Sequence, residues 1–235
     1  MEEAGMKNKF SFESFKTSDT LVDALCSRIE RELKEAIEEN GVASIAFSGG
    51  STPKKLLQKL SMADLPWYLV NVTLVDERWV DVSSRDSNEN LLHENLLINR
   101  ARNAQFISLK NAIVAPEDGW LVTNNRLKKI GKLDIVILGM GVDGHTASFF
   151  PHMKELEHVL STDDYCCSAT ATVAPYSRLT LSRSFLLSAK SLILHIEGAV
   201  KKTVFELATK SDNWKMFPII SMMEQEKPLL EVYYA

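Results

Sequence analysis

The 235-residue sequence has three cysteines, Cys26, Cys166 and Cys167, and two of them are adjacent. Adjacent residues on a strand point to opposite faces and an odd count leaves a thiol over, so no disulfide framework is expected and a reducing compartment fits. No stretch approaches the ~20 apolar residues that span a bilayer. The opening MEEAGMKNKFSFESF lacks the basic start and apolar run of a secretory leader. These absences predict a cytoplasmic chain with no membrane partner. A surplus of positive charge is missing too: 27 Lys and Arg stand against 31 Asp and Glu, for a net charge of -4, and the cations are scattered. That removes the basic footprint of a nucleic-acid binder, so any anionic ligand must be held by a few local cations. Repeats, low-complexity tracts and linkers are absent as well.

What is present is ordinary for a globular protein: 45% hydrophobic and 25% charged residues, enough for a sizeable core in one domain spanning 1–235. Leu21, Leu25, Ile29, Leu33 and Ile37 recur at a four-residue spacing, which predicts an amphipathic helix with Ser18 as N-cap and Gly41 as its stop. Short apolar runs follow at residues 42–47, 70–75, 105–108, 133–138, 165–170, 178–182, 191–196 and 230–234. Near-continuous apolar strands separated by helical segments imply an α/β fold, a mostly parallel Rossmann-like sheet with helices on both faces. Such sheets bind ligands beyond the carboxyl ends of their strands, and that is where the polar clusters of this sequence fall.

Three clusters carry candidate chemistry. Ser48-Gly49-Gly50-Ser51-Thr52-Pro53 joins a strand to a helix and offers backbone N–H groups and hydroxyls to a phosphate or polyol. By itself it reads equally as a tight turn, and it lacks the nucleotide P-loop pattern. Asp76-Glu77-Arg78, followed by Ser87-Asn88-Glu89-Asn90, closes a strand. Its charges are expected to emerge at the exposed strand end, where Arg78 can grip phosphate or carboxylate in a bidentate contact. Gly139-Met140-Gly141-Val142-Asp143-Gly144-His145 satisfies a Gly-x-Gly-x-x-Gly fingerprint, with Asp163 and Asp164 downstream. However, Asp143 would lie against a pyrophosphate, and Pro151 cuts short any helix, so a dinucleotide cofactor is not expected. The segment instead sets an acid beside His145. An imidazole suits general-base work near neutral pH, although a lone histidine here reads more readily as a structural residue bonding to backbone. His152 and His158 match no familiar ligand spacing, so no metal is expected. Arg178 opens a strand and Lys201 starts a helix; each alone reads as a surface cation, and together with the Ser48 loop they can complete a phosphate clamp.

Taken in order, SGGSTPKKLL, VDERWV with SN after it, LGMGVDGHTASFFP, the Arg178 strand and the Gly198-x-x-Lys201 turn resemble the 6-phosphogluconolactonases. These lie within the wider group that includes the glucosamine-6-phosphate deaminases. The resemblance implies hydrolysis of 6-phospho-D-glucono-1,5-lactone without cofactor or metal, with His145 as general base and Asp143 orienting it. Ser48, Gly49, Gly50, Ser51, Thr52, Arg78, Arg178 and Lys201 would hold phosphate and sugar hydroxyls. The substrate would be the sole small-molecule partner, and the chain a monomer or weak homo-oligomer. In the deaminases the related segment resembles DGHIAFNEP, with a working acid before the proline, where this chain has Phe150. A non-catalytic sugar-phosphate sensor is the remaining alternative. It would have little need of the Asp143-His145 pair, and one helix occupies almost all the sequence before the first expected strand.

Overall fold

The computed structural model describes residues 9–171, 176–225 and 227–235. Part of the N-terminal stretch read above for a leader lies outside the described residues. In chain order the elements are β1 (Phe10–Ser14), α1 (Ser18–Asn40), β2 (Ala43–Phe47), α2 (Lys54–Leu60), β3 (Val70–Leu74), β4 (Asp76–Arg78), α3 (Asn88–Asn95), β5 (Gln105–Phe106), α4 (Pro116–Leu127), β6 (Ile135–Leu138), α5 (Leu156–Ser161), β7 (Cys166–Thr170), β8 (Ser177–Leu181), α6 (Arg183–Leu186), β9 (Ser191–Ile196), α7 (Ala199–Thr209) and β10 (Leu230–Tyr234).

The α1 stripe is buried as its spacing requires: Leu21, Leu25, Ile29 and Leu33 are fully enclosed, each contributing about 2 kcal/mol of apolar burial. Its start lies one residue earlier than expected. Thr17, not Ser18, is the N-cap, its Oγ1 accepting from Thr20 N–H at 3.2 Å while Thr20 Oγ1 accepts from Thr17 N–H at 3.3 Å. Gly41 ends the helix at φ 76°, its N–H donating to Ile37 O at 2.8 Å, a left-handed turn that glycine adopts without strain.

Seven strands form one parallel sheet in the order β1-β10-β9-β6-β2-β3-β5. Every residue of β2 and β6 is buried, so both faces of the sheet centre are covered. The buried apolar side chains make one cluster that runs from Leu21 to Tyr233. Two expected strands, β7 and β8, do not join this sheet. With β4 they form a separate antiparallel sheet in the order β4-β8-β7. Also unforeseen was β1, an edge strand whose alternating FSFES leaves most of its side chains exposed. No helix among the described residues is long and apolar enough to cross a membrane.

The strand order places the switch point. From β2 the chain moves outward to β3 and β5, and from β6 it moves the other way to β9 and β10. The loops after these two neighbours therefore part above the sheet, and a crevice opens between them.

Candidate active site

That crevice is a cleft of about 580 Å³, and all ten sequence-predicted residues border it: the loop from Ser48 to Thr52, Arg78, Asp143, His145, Arg178 and Lys201. Ser48 ties its two walls together. Its N–H donates to Ile137 O at 2.9 Å, and its Oγ accepts from Gly139 N–H at 2.9 Å. Glycine is required next to it, because a Cβ on Gly49 would lie 1.8 Å from Asn88 Oδ1.

Beyond β6 the chain makes a tight loop rather than a helix. The Gly141 N–H donates to His145 O at 2.9 Å and the Gly144 N–H to Gly141 O at 3.1 Å, with Gly144 at φ 82°. The next helix is α5, which begins only at Leu156, so the glycine fingerprint lacks the helix a dinucleotide site needs. The loop brings His145 Nδ1 to 2.6 Å from Asp143 Oδ1, which also accepts the His145 backbone N–H at 3.1 Å. Burial pushes the Asp143 carboxyl up, but the hydrogen bond and charge of His145 outweigh it and hold the group below its ordinary value. An ionised Asp143 accepts only, so Nδ1 carries the proton and Nε2 is left with a lone pair. The imidazole ring also lies 4.6 Å from the Phe150 ring.

The Asp76-Glu77-Arg78 segment departs from expectation. Asp76 and Glu77 are buried instead of emerging at an exposed strand end, because the chain continues directly into β4 and pairs with β8. Glu77 accepts from the backbone N–H groups of Arg78, Asn88 and Glu89 at 2.7, 2.8 and 2.7 Å and from Ser87 Oγ at 3.0 Å. It thereby anchors the N-terminus of α3, and its role is structural. Burial pushes its carboxyl above the ordinary value against those four bonds. Asp76 faces the cleft, accepting from Ser148 Oγ at 2.5 Å and standing 3.5 Å from Arg178 Nη1.

Arg78 and Arg178 are register partners across β4 and β8. The Nε of each is buried without a hydrogen-bond partner, and Arg78 Nη1 donates to Asp86 O at 2.6 Å. Burial presses the Arg178 guanidinium down from its ordinary value, Asp76 opposes that, and the like charge of Arg78 adds to it. A guanidinium starts so high that Arg178 remains cationic. Arg178 Cζ lies 5.1 Å from the Phe150 ring centre, so Phe150 neighbours both Arg178 and His145. On the opposite wall Lys201 Nζ donates to Thr52 Oγ1 at 3.1 Å. Burial lowers its proton affinity and Glu197 partly restores it.

A family model described as glucosamine-6-phosphate isomerases/6-phosphogluconolactonase matches residues 16–230. The chain belongs to this family. The 6-phosphogluconolactonase of Rhizobium meliloti (strain 1021) is 40% identical over 224 residues, covering 94% of this chain and 97% of its own length. That of Helicobacter pylori (strain ATCC 700392 / 26695) is 38% identical over 231 residues, with 96% and 97% covered. Among solved structures, a 6-phosphogluconolactonase from Shewanella baltica OS155 matches with a TM-score of 0.95 at 42% identity, over 98% of this chain and 99% of that one.

Within this family fold the cleft contains residues that the sequence reading had not placed in the site. Asp76, Asn88, Phe150 and His195 all border it. For His195 a signal existed: it is the one polar side chain inside the apolar run LILHI. Asn88 stood in the second cluster, but its approach to Gly49 joins segments about forty residues apart and is not legible from either. Among the described residues no three His, Cys, Asp or Glu side chains converge as a metal site would require.

Proposed function

We propose that this chain hydrolyses 6-phospho-D-glucono-1,5-lactone to 6-phospho-D-gluconate, with His145 as general base. The observation that carries this reading is the Asp143–His145 pair, 2.6 Å apart, set in a cleft that also holds Arg78, Arg178 and Lys201. A lactone is an activated ester. Water deprotonated at His145 Nε2 attacks C1 directly, the tetrahedral intermediate collapses with cleavage of the bond from C1 to the ring oxygen, and the imidazolium returns its proton to that leaving oxygen; no covalent enzyme intermediate or metal is called for. Asp143 holds the ring in the required tautomer and stabilises the imidazolium that forms. The tetrahedral oxyanion is steadied by the cationic wall of the cleft. Lys201 and the Ser48-to-Thr52 loop take the phosphate, while Arg78 and Arg178 hold the ring oxygens and the developing charge.

Phe150 argues against an amino-sugar phosphate isomerase. A phenyl ring 4.6 Å from the imidazole neither accepts nor delivers a proton, so a second acid is missing from the place where that chemistry would use one. The three free thiols, all buried, fit a cytoplasmic enzyme.

The test is to generate the lactone in situ and follow its disappearance in chelator-treated buffer. Acceleration over the spontaneous rate is expected. Only the spontaneous rate would overturn the function, and activity lost on chelation but restored by a divalent ion would overturn the metal-free reading.

A further inference from the structure

At the end of β9 stands a histidine that the proposed reaction does not use. His195 borders the cleft, yet its side chain is 98% buried. Its Nε2 lies 2.9 Å from Glu197 Oε1, and that carboxylate also accepts from Ser18 Oγ at 3.1 Å. Its Nδ1 is buried without a hydrogen-bond partner. A carboxylate only accepts, so the ring proton sits on Nε2 and Nδ1 presents a bare lone pair. A buried acceptor left unsatisfied is costly, and in a cleft it marks where a ligand donor or a proton belongs.

The charged groups around the ring are few. Glu197 faces it from the turn before α7, and Lys201 from α7 itself. Lys55 of α2 feels the charge of Glu197 but is paired with Asp19 at 2.8 Å. From β10 the register partner is Tyr233, whose hydroxyl accepts from Arg28 Nη1 at 3.0 Å. Burial pushes His195 below its ordinary value, Glu197 opposes that and Lys201 adds to it, so the protein's own groups leave the ring neutral.

We propose that His195 is a proton-sharing ligand of the substrate phosphate: as the dianion docks against Lys201 and Thr52, Nδ1 takes one proton from solvent and donates it to a phosphate oxygen. This rests on the phosphate clamp proposed above. No bond of the phosphate ester breaks, and Glu197 on the far side of the ring balances the imidazolium. Without that proton a lone pair would face a dianion; with it, the contact becomes a charge-assisted hydrogen bond. A phosphate monoester has its second pKa at about 6, so above neutrality the complex holds one proton more than its free partners. Affinity then falls as pH rises, approaching tenfold per pH unit by linkage.

The test is calorimetric titration with glucitol 6-phosphate, which carries no lactone or carboxylate to engage His145, at about pH 8 in buffers of differing ionisation enthalpy. The wild-type chain is expected to take up close to one proton per ligand. In His195→Gln the amide still donates to Glu197 but binds no proton. Uptake should fall near zero and affinity by roughly tenfold to a hundredfold, with unchanged circular dichroism. Glu197→Gln, which removes the balancing charge from a partly exposed position, should at least halve the uptake, and it decides the matter if the first variant does not fold. Binding without proton uptake, or uptake that survives either substitution, overturns the proposal and assigns any proton to Lys201. If neither glucitol 6-phosphate nor 6-phosphogluconate binds the wild-type chain, the clamp falls first and the proposal with it.

Discussion

Replacing Gly141 by alanine adds one methyl group and should remove most of the activity. Gly141 is not among the residues at positive φ, so its backbone accepts alanine without strain. Space is the obstacle. The new Cβ would lie 2.2 Å from both Nδ1 and Cε1 of His145 and 2.7 Å from Asp143 Oδ1. Carbon contacts become comfortable only at about 3.5 Å, so the imidazole must move by roughly 1 Å or more and its bond to Asp143 must break. Misplacing a reacting group by that much costs about a hundredfold, and full loss of a general base up to about ten-thousandfold. The expected fall in kcat/KM is therefore about 10²–10⁴, or about 3–5 kcal/mol of transition-state stabilisation. Stability should barely change, by less than about 1 kcal/mol, because the His145 and Asp143 side chains are 32% and 49% exposed and no packed layer depends on them. The measurements are lactone hydrolysis, 6-phosphogluconate inhibition and thermal denaturation on the same preparation. Turnover within about threefold of wild type would refute the role given to His145. A loss of turnover matched by an equal loss of product binding would show that the methyl group had closed the cleft instead of displacing the base.

Three further outcomes are expected. Arg178→Ala should lower kcat/KM by about 10–100-fold, the worth of a charge-assisted contact, through KM and kcat together because its guanidinium is assigned both the ring and the developing charge; a kcat/KM within about threefold of wild type would contradict that role. Glu77→Ala should lower stability in urea by about 3–5 kcal/mol, since it strands four donors around a buried position, and a loss below about 1 kcal/mol would refute its anchoring of α3. Cys26, Cys166 and Cys167 are all buried. Burial, followed by the nearby acidic groups, pushes the Cys26 and Cys167 thiols up to about 12, and burial also raises Cys166. An aromatic disulfide reagent should therefore find no thiol in the native chain and three in guanidinium, and a thiol that reacts without denaturant would contradict the packing of α1 or β7.

What the sequence could and could not reveal follows from how local each determinant is. The α1 stripe, the apolar runs and the Asp143-Gly144-His145 turn were legible because neighbours within about one helical turn or one strand create them. Strand partnership is not local. The YCCSAT and RLTLS runs look like any other apolar strand, yet β8 pairs antiparallel with β4 because residues 75–78 continue past the end of β3 and need a partner. The same event buries Asp76 and Glu77, whose charges in sequence suggested a solvated end. It also turns Arg78 and Arg178 toward one another, and neither arginine alone predicts that meeting. The small sheet is thus more than an irregularity of the α/β plan. The parallel sheet supplies His145, Asp143, Lys201 and the Ser48 loop from the segments that follow β2, β6 and β9. The antiparallel sheet adds two guanidinium groups and Asp76 to the cleft lining. Rigid strands thereby hold the cationic wall, while the histidine rides on a glycine turn. On the proposed reading, strand-held guanidinium groups fix the sugar while the glycine turn leaves the base open to water.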